Sequence, residues 1–138
     1  MKSLSTLIKL QKTRVDEQRL ALAKLQARLE DIQNSIAELE IKKAREQVVA
    51  QENADARATY GAFLKAAVRE GRELEKHRKV MIEAVDAARV ILTGLFEEQK
   101  RYELAEAARV ETEKKETRRK ETQELDEIGG VSYIRKRE

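Results

Sequence analysis

Cysteine, proline and tryptophan are absent from this chain, and only five of its 138 residues are glycine. Without cysteine it forms no disulfide and offers no thiolate for catalysis or metal binding. Aromatic residues make up 4% and charged residues 40%, and many of the apolar residues are alanine, which supports a helix without filling a core. This composition favours long, surface-exposed helices over a packed globule.

The charges balance closely, with 29 basic and 26 acidic residues that are interleaved along the chain and give a net charge of +3. A dedicated nucleic-acid-binding protein would carry a strongly basic patch, so we expect no nucleic acid partner. No apolar run approaches the roughly 20 residues that span a bilayer. The first nine residues, MKSLSTLIK, are charged too early for a signal peptide. We therefore expect a cytoplasmic protein that is at most peripheral to a membrane.

A first row of apolar residues appears at alternating spacings of four and three, which is the pattern of a coiled-coil seam. Nine of its eleven positions are aliphatic. The first row comprises Leu4, Ile8, Gln11, Val15, Gln18, Leu22, Leu25, Leu29, Ile32, Ile36 and Leu39.

The periodicity is interrupted by Lys42, Lys43 and Glu46, and residues 51–55 are polar. Because Asn53 or Asp55 can cap the start of a helix, we predict a turn at about 51–56. A second row follows with ten apolar residues among thirteen. It comprises Tyr60, Leu64, Ala67, Gly71, Leu74, Arg78, Met81, Val85, Ala88, Leu92, Leu95, Gln99 and Tyr102.

The two rows predict an all-α fold, a long two-helix antiparallel coiled-coil hairpin with a protruding C-terminal helix. In a hairpin that turns near residue 53, facing residue numbers add up to about 106, so that Leu4 faces Tyr102. We expect one domain over residues 1–128, with helices at about 3–50 and 57–128. Residues 103–128, here called the extension, lie beyond the pairing. Gly129 and Gly130 should end the helix in a left-handed cap, which leaves 129–138 as a flexible tail.

The sequence offers little evidence for catalysis. The single histidine, His77, lies among Lys76, Arg78 and Lys79, and neighbouring cations disfavour metal binding. The sequence shows no nucleophile–base arrangement and no phosphate-binding loop. We therefore expect a protein that is not an enzyme and that uses no cofactor or metal.

Two features could bind other proteins. Basic residues gather near the open end of the hairpin, where they are either a solvated helix face or a docking surface for an acidic protein. They are Lys2, Lys9, Lys12, Arg14, Lys114, Lys115, Arg118, Arg119, Lys120 and Arg135–Arg137. Apolar residues off the two rows are as consistent with partial burial as with partner binding. They are Leu7, Leu10, Leu20, Phe63, Val68, Phe96 and Ile128.

The chain resembles the flagellar export protein FliJ family over most of its length. The order of parts agrees: a short lead, a long hairpin, a protruding charged helix, Asp-Glu-Ile and a basic tail. The segments that carry the resemblance are 2–10 (KSLSTLIKL), 16–19 (DEQR), the heptads of 22–39, 102–103 (YE) and 124–128 (ELDEI).

The resemblance implies a component of the flagellar type III export apparatus whose hairpin is similar to the stalk of rotary ATPases. Such proteins insert the end that carries both termini into a hexameric export ATPase and promote its assembly and ATP hydrolysis. They also contact the membrane export gate at the inner membrane and escort export chaperones. By that analogy, the ATPase-binding residues would be Leu7, Lys9, Lys12, Arg14, Arg109, Lys115, Arg118 and Arg119.

Two other functions stay open from the residues alone. A structural scaffold or adaptor would dimerise by pairing its extension with a second copy, although the extension has few apolar residues. A nucleic-acid-binding protein would show steeply salt-dependent binding, which the near-neutral charge disfavours.

Overall fold

The computed structural model describes the backbone of residues 3–137, with the side chains of that range other than those of 132 and 135–137. Helix α1 runs over Leu4–Glu52 and helix α2 over Ala54–Arg137, and residues 3–137 contain no strand. The two helices pack against each other in an antiparallel hairpin, which confirms the predicted fold class. The absence of proline lets both helices run without a kink-forming residue.

The hairpin divides into two compact units. The turn unit is Arg14–Gly94 and contains the connection between the helices. The terminal unit combines residues up to Thr13 with residues from Leu95 onward. The prediction of one domain over residues 1–128 stays a prediction.

Both predicted rows lie at the helix interface. Every described position of the two rows is buried or half-buried. In the turn unit the seam includes Val15, Leu39, Ala67, Val85 and Ala88, all buried. Of the three residues at which the sequence predicted a break, Lys43 and Glu46 continue the seam, because both are half-buried and lead to buried Ala50, whereas Lys42 is exposed. Lys43 keeps its ammonium group outside, 3.1 Å from Glu40, while its aliphatic stem covers the interface.

Hydrogen bonds from two glutamines fix the antiparallel register. In the turn unit, Gln18 Nε2 donates to the carbonyl of Ala88 at 3.1 Å. In the terminal unit, Gln11 is only 1% exposed, and its Nε2 donates to the carbonyl of Leu95 at 2.9 Å. Both pairs of residue numbers add up to the predicted value of 106. Leu4 shares a surface groove with Glu106 and Arg109, about one helical turn beyond Tyr102.

The turn is a single residue, shorter than the predicted 51–56. Asn53 Oδ1 accepts hydrogen bonds from the backbone amides of Asp55 at 2.9 Å and Ala56 at 3.4 Å, which caps α2. Arg57 donates from Nε to the carbonyl of Ala50 and from Nη2 to that of Gln51, which caps the free carbonyls at the end of α1. Of the two predicted capping residues, Asn53 is thus the one that caps α2.

The predicted helix end at Gly129 and Gly130 is wrong, because α2 continues through both to Arg137. A left-handed cap needs a glycine with positive φ, and no glycine in the described backbone has one. Each glycine costs the helix about 1 kcal/mol relative to alanine, which lowers its stability without forcing it to end. The last residue of the predicted tail, Glu138, lies outside the described residues.

Candidate protein-binding surface

The start of α1 lies in the terminal unit and is capped by a serine. Ser3 Oγ accepts a hydrogen bond from the backbone amide of Thr6 at 3.2 Å and lies 2.8 Å from its hydroxyl oxygen. Ser3, Leu4 and Ser5 line a shallow groove together with Glu106 and Arg109 of α2. The start of α1 thereby lies against α2 where the helix pairing ends.

Arg109 is held between two carboxylates of its own helix. Its Nη2 donates to Glu106 at 2.7 Å and its Nη1 to Glu113 at 2.6 Å. The hydrogen bond from Arg109 holds the pKa of Glu106 below its ordinary value, and the same bond with Glu106 raises the pKa of Arg109. Arg109 and Glu113 are exposed and Glu106 is half-buried, so the clamp organises charge more than it stabilises the fold.

Beyond this clamp no other described helix lies beside the extension. Every described side chain from Glu111 to Val131 is exposed. A shallow groove on the extension is lined by Val110, Glu113, Lys114, Thr117 and Arg118, so two basic side chains and one acidic side chain surround Val110. This arrangement suits contact with a protein surface that carries acidic groups.

The aromatic residues near the turn form a separate cluster. The ring centroids of Tyr60 and Phe63 lie 6.3 Å apart, and Lys42 Nζ lies 5.7 Å from the centre of the Phe63 ring. Phe63 is half-buried by these contacts. It therefore packs within the turn unit, as one of the two alternatives for this residue predicted.

The described residues contain neither a membrane span nor a metal site. No helix among them is long and apolar enough to cross a membrane. No group of three or more histidine and acidic side chains in the described part of the chain could hold a metal ion, and His77 is exposed on α2.

The family model described as Flagellar FliJ protein matches residues 1–138, the whole chain. The chain belongs to the FliJ family. No curated protein and no solved structure matches it.

Membership of the FliJ family makes this a flagellar export-related coiled-coil protein. The resemblance inferred from the sequence is thereby confirmed. FliJ-family proteins are non-catalytic components of flagellar export.

The eight predicted ATPase-binding residues of this FliJ-family chain divide between the two units. Seven lie in the terminal unit, and Arg14 begins the turn unit. No hydrogen bond or ion pair of the described residues joins two members of the set, so their role stays a prediction. Leu7 is half-buried, Arg109 is held by Glu106 and Glu113, and the exposed remainder are Lys9, Lys12, Arg14, Lys115, Arg118 and Arg119.

Lys2 and the side chains of Arg135–Arg137, which belong to the predicted basic groups, lie outside the described residues. Of the predicted off-row apolar residues, Leu7, Leu10 and Phe63 are half-buried, whereas Leu20, Val68, Phe96 and Ile128 are exposed. Several other exposed aliphatic residues also lie off the two rows but were not in the predicted set. They are Ile41, Val48, Val49, Val80, Val90 and Ile91.

Proposed function

We propose that this FliJ-family chain is a stalk that binds the hexameric flagellar export ATPase through its terminal unit. It promotes assembly and activity of the ATPase, and links it to the export gate at the inner membrane and to export chaperones. The observation that carries the proposal is the exposed helix of the extension, in a chain whose whole length matches the family.

The geometry of the extension supports insertion into a ring. A single helix with its side chains is about 10–12 Å across, much thinner than a globular domain. Side chains from Glu111 to Val131 are exposed on all faces, so a partner that surrounds the helix can contact every face. The hexameric ATPase of the proposal is such a partner.

The ion pairs of the extension show which of its basic residues remain available to contact the ATPase. Arg109 is already bound by Glu106 and Glu113, so it offers little free charge. Arg118 and Arg119 are exposed, and no described ion pair involves them. Arginine binds carboxylates through paired hydrogen bonds, so these two residues are the strongest candidates for an acidic surface of the ATPase.

The test measures ATP hydrolysis by the cognate flagellar export ATPase with and without the chain, alongside a pull-down of the two proteins. We expect binding and stimulation by the unmodified chain. The variant R118E/R119E should weaken binding by about tenfold or more, because two attractive charges become repulsive. Circular dichroism should show unchanged helix content, since both side chains are exposed.

A matched control is K65E/R69E, which changes the net charge equally on exposed residues of the turn unit. It should stimulate the ATPase as the unmodified chain does. If the unmodified chain neither binds nor stimulates, the stalk function is wrong. If both variants lose activity equally, the contact depends on total charge and not on the extension.

A further inference from the structure

The extension carries a row of residues at the coiled-coil spacing of four and three, on a face that differs from the seam. Lys114 and Arg118 begin the row, and Glu121, Leu125 and Ile128 continue it. This spacing places all five on one face of α2, here called the pairing row. Basic residues occupy its first half, and acidic and apolar residues occupy its second half.

Among the described residues, none of these five side chains is buried or forms an ion pair. All are exposed, with Leu125 and Ile128 at 68% and 63%. The ion pairs described for residues 3–137 include none with Lys114, Arg118 or Glu121, whereas nearby Arg109 binds two carboxylates. The row therefore presents free charges and free apolar surface together.

We infer that the pairing row is an interface for the extension of a second copy of the chain, in antiparallel orientation. A two-fold axis near residues 119–120 places Arg118 of each copy opposite Glu121 of the other. Each contact then occurs twice, as an isologous interface requires. A parallel pair would place like charges opposite each other, which is unfavourable.

The same register gives Leu125 an apolar contact. Lys114 of one copy lies opposite Leu125 of the other, next to the groove lined by Val110, Thr117 and Arg118. Leu125 can enter that groove while the aliphatic stem of Lys114 covers it. At the flank, Ile128 comes opposite Glu111, so Leu125 is the main apolar contact of the pair. Charge and shape thus select the same orientation.

The pair should be weak and sensitive to salt, because its charges are exposed and its apolar contacts are few. It would cover Arg118, which the proposed function assigns to the ATPase contact. If that function holds, a second copy and the ATPase compete for the extension. Self-association itself does not depend on the ATPase.

Sedimentation equilibrium of the full chain at low and high salt tests the inference. At low salt the apparent mass should rise with concentration above the 15.9 kDa of one copy, and added salt should reverse the rise. Two charge-reversed variants, R118E and E121K, should each associate about tenfold more weakly than the unmodified chain.

An equimolar mixture of the two variants provides the decisive measurement. In an antiparallel pair, the reversed residues of one variant face the reversed residues of the other, so the mixture should associate as strongly as the unmodified chain. K65E/R69E is the control and should associate normally. Circular dichroism of each variant verifies that the helices remain formed.

Three results would overturn the inference. The unmodified chain could remain at the mass of one copy at every concentration, the single variants could associate as strongly as the unmodified chain, or their mixture could fail to associate. Recovery only in the mixture supports the antiparallel pair, since a general effect of net charge would not restore it. The ATPase is absent from this experiment, so its outcome is separate from that of the stalk hypothesis.

Discussion

Replacing Gly71 with alanine should stabilise the hairpin. Gly71 lies inside α2 on the second row, and its φ is not positive, so alanine can adopt its backbone conformation. A Cβ atom there would lie 3.5 Å from Leu39 Cδ2, which is ordinary van der Waals contact. The substitution therefore adds a methyl group to the seam without requiring a neighbour to move.

The expected gain has two parts. Glycine in a helix interior is about 1 kcal/mol less favourable than alanine. The new methyl group would be partly buried against Leu39, and burying a full methylene contributes about 0.8 kcal/mol. Because Gly71 is only half-buried, we expect a total gain of about 1.5 kcal/mol, at the upper end of what one substitution gives.

Gly61→Ala separates the gain in helix preference from the gain due to the methyl contact. A Cβ at Gly61 meets nothing within 4 Å, so this control gains only the helix preference, about 1 kcal/mol. Urea unfolding followed by circular dichroism would give both free energies, and equal slopes would show that the unfolded states are comparable. If Gly71→Ala were no more stable than Gly61→Ala, the methyl contact would be worth nothing. If it were less stable than the unmodified chain, the packing of the seam described here would be wrong.

Two further predictions concern the ends of the helix pairing. Asn53→Ala should reduce the free energy of unfolding by about 1 kcal/mol, whereas Asn53→Asp should keep the cap, as urea unfolding would show. At the other end, the hydrogen bond from Arg109 that lowers the pKa of Glu106 stabilises the fold at pH values above the ordinary pKa of glutamate. This contribution is lost as the pH falls through the lowered pKa. The thermal midpoint should therefore decline slightly at acidic pH, and Arg109→Gln should reduce this decline. An unchanged decline would show that the clamp does not form.

The helix pairing could be predicted from the sequence because burial follows a simple period. The rows from Leu4 to Leu39 and from Tyr60 to Tyr102 coincide with the buried and half-buried positions. A period depends on many residues at once, so single exceptions such as Gln11 and Gln18 did not hide it. Their hydrogen bonds to backbone carbonyls explain how polar side chains are tolerated there.

The boundaries depend on single residues and were harder to predict. Lys43 and Glu46 indicated a break by residue type, yet long side chains can bury their stems and keep their charges in water. Gly129 and Gly130 indicated a stop, yet helix preference is a weak signal when no other conformation is stabilised. The caps from Asn53 and Arg57 are local hydrogen bonds, and only the first had a sequence signal. The binding residues could not be derived at all, because exposed charge is shared by most of the extension.

The position of the extension after the hairpin has a consequence for binding. The first turn of a helix is costly to form, whereas each added residue is nearly neutral, so an isolated segment must first overcome the cost of nucleation. Here the packed rows up to Tyr102 already supply the helical turns, and the extension only propagates them. A partner therefore meets a helix that is already formed and pays less to order it than it would for a disordered segment. This preformed helix lets exposed, individually weak charges such as Arg118 and Glu121 act together.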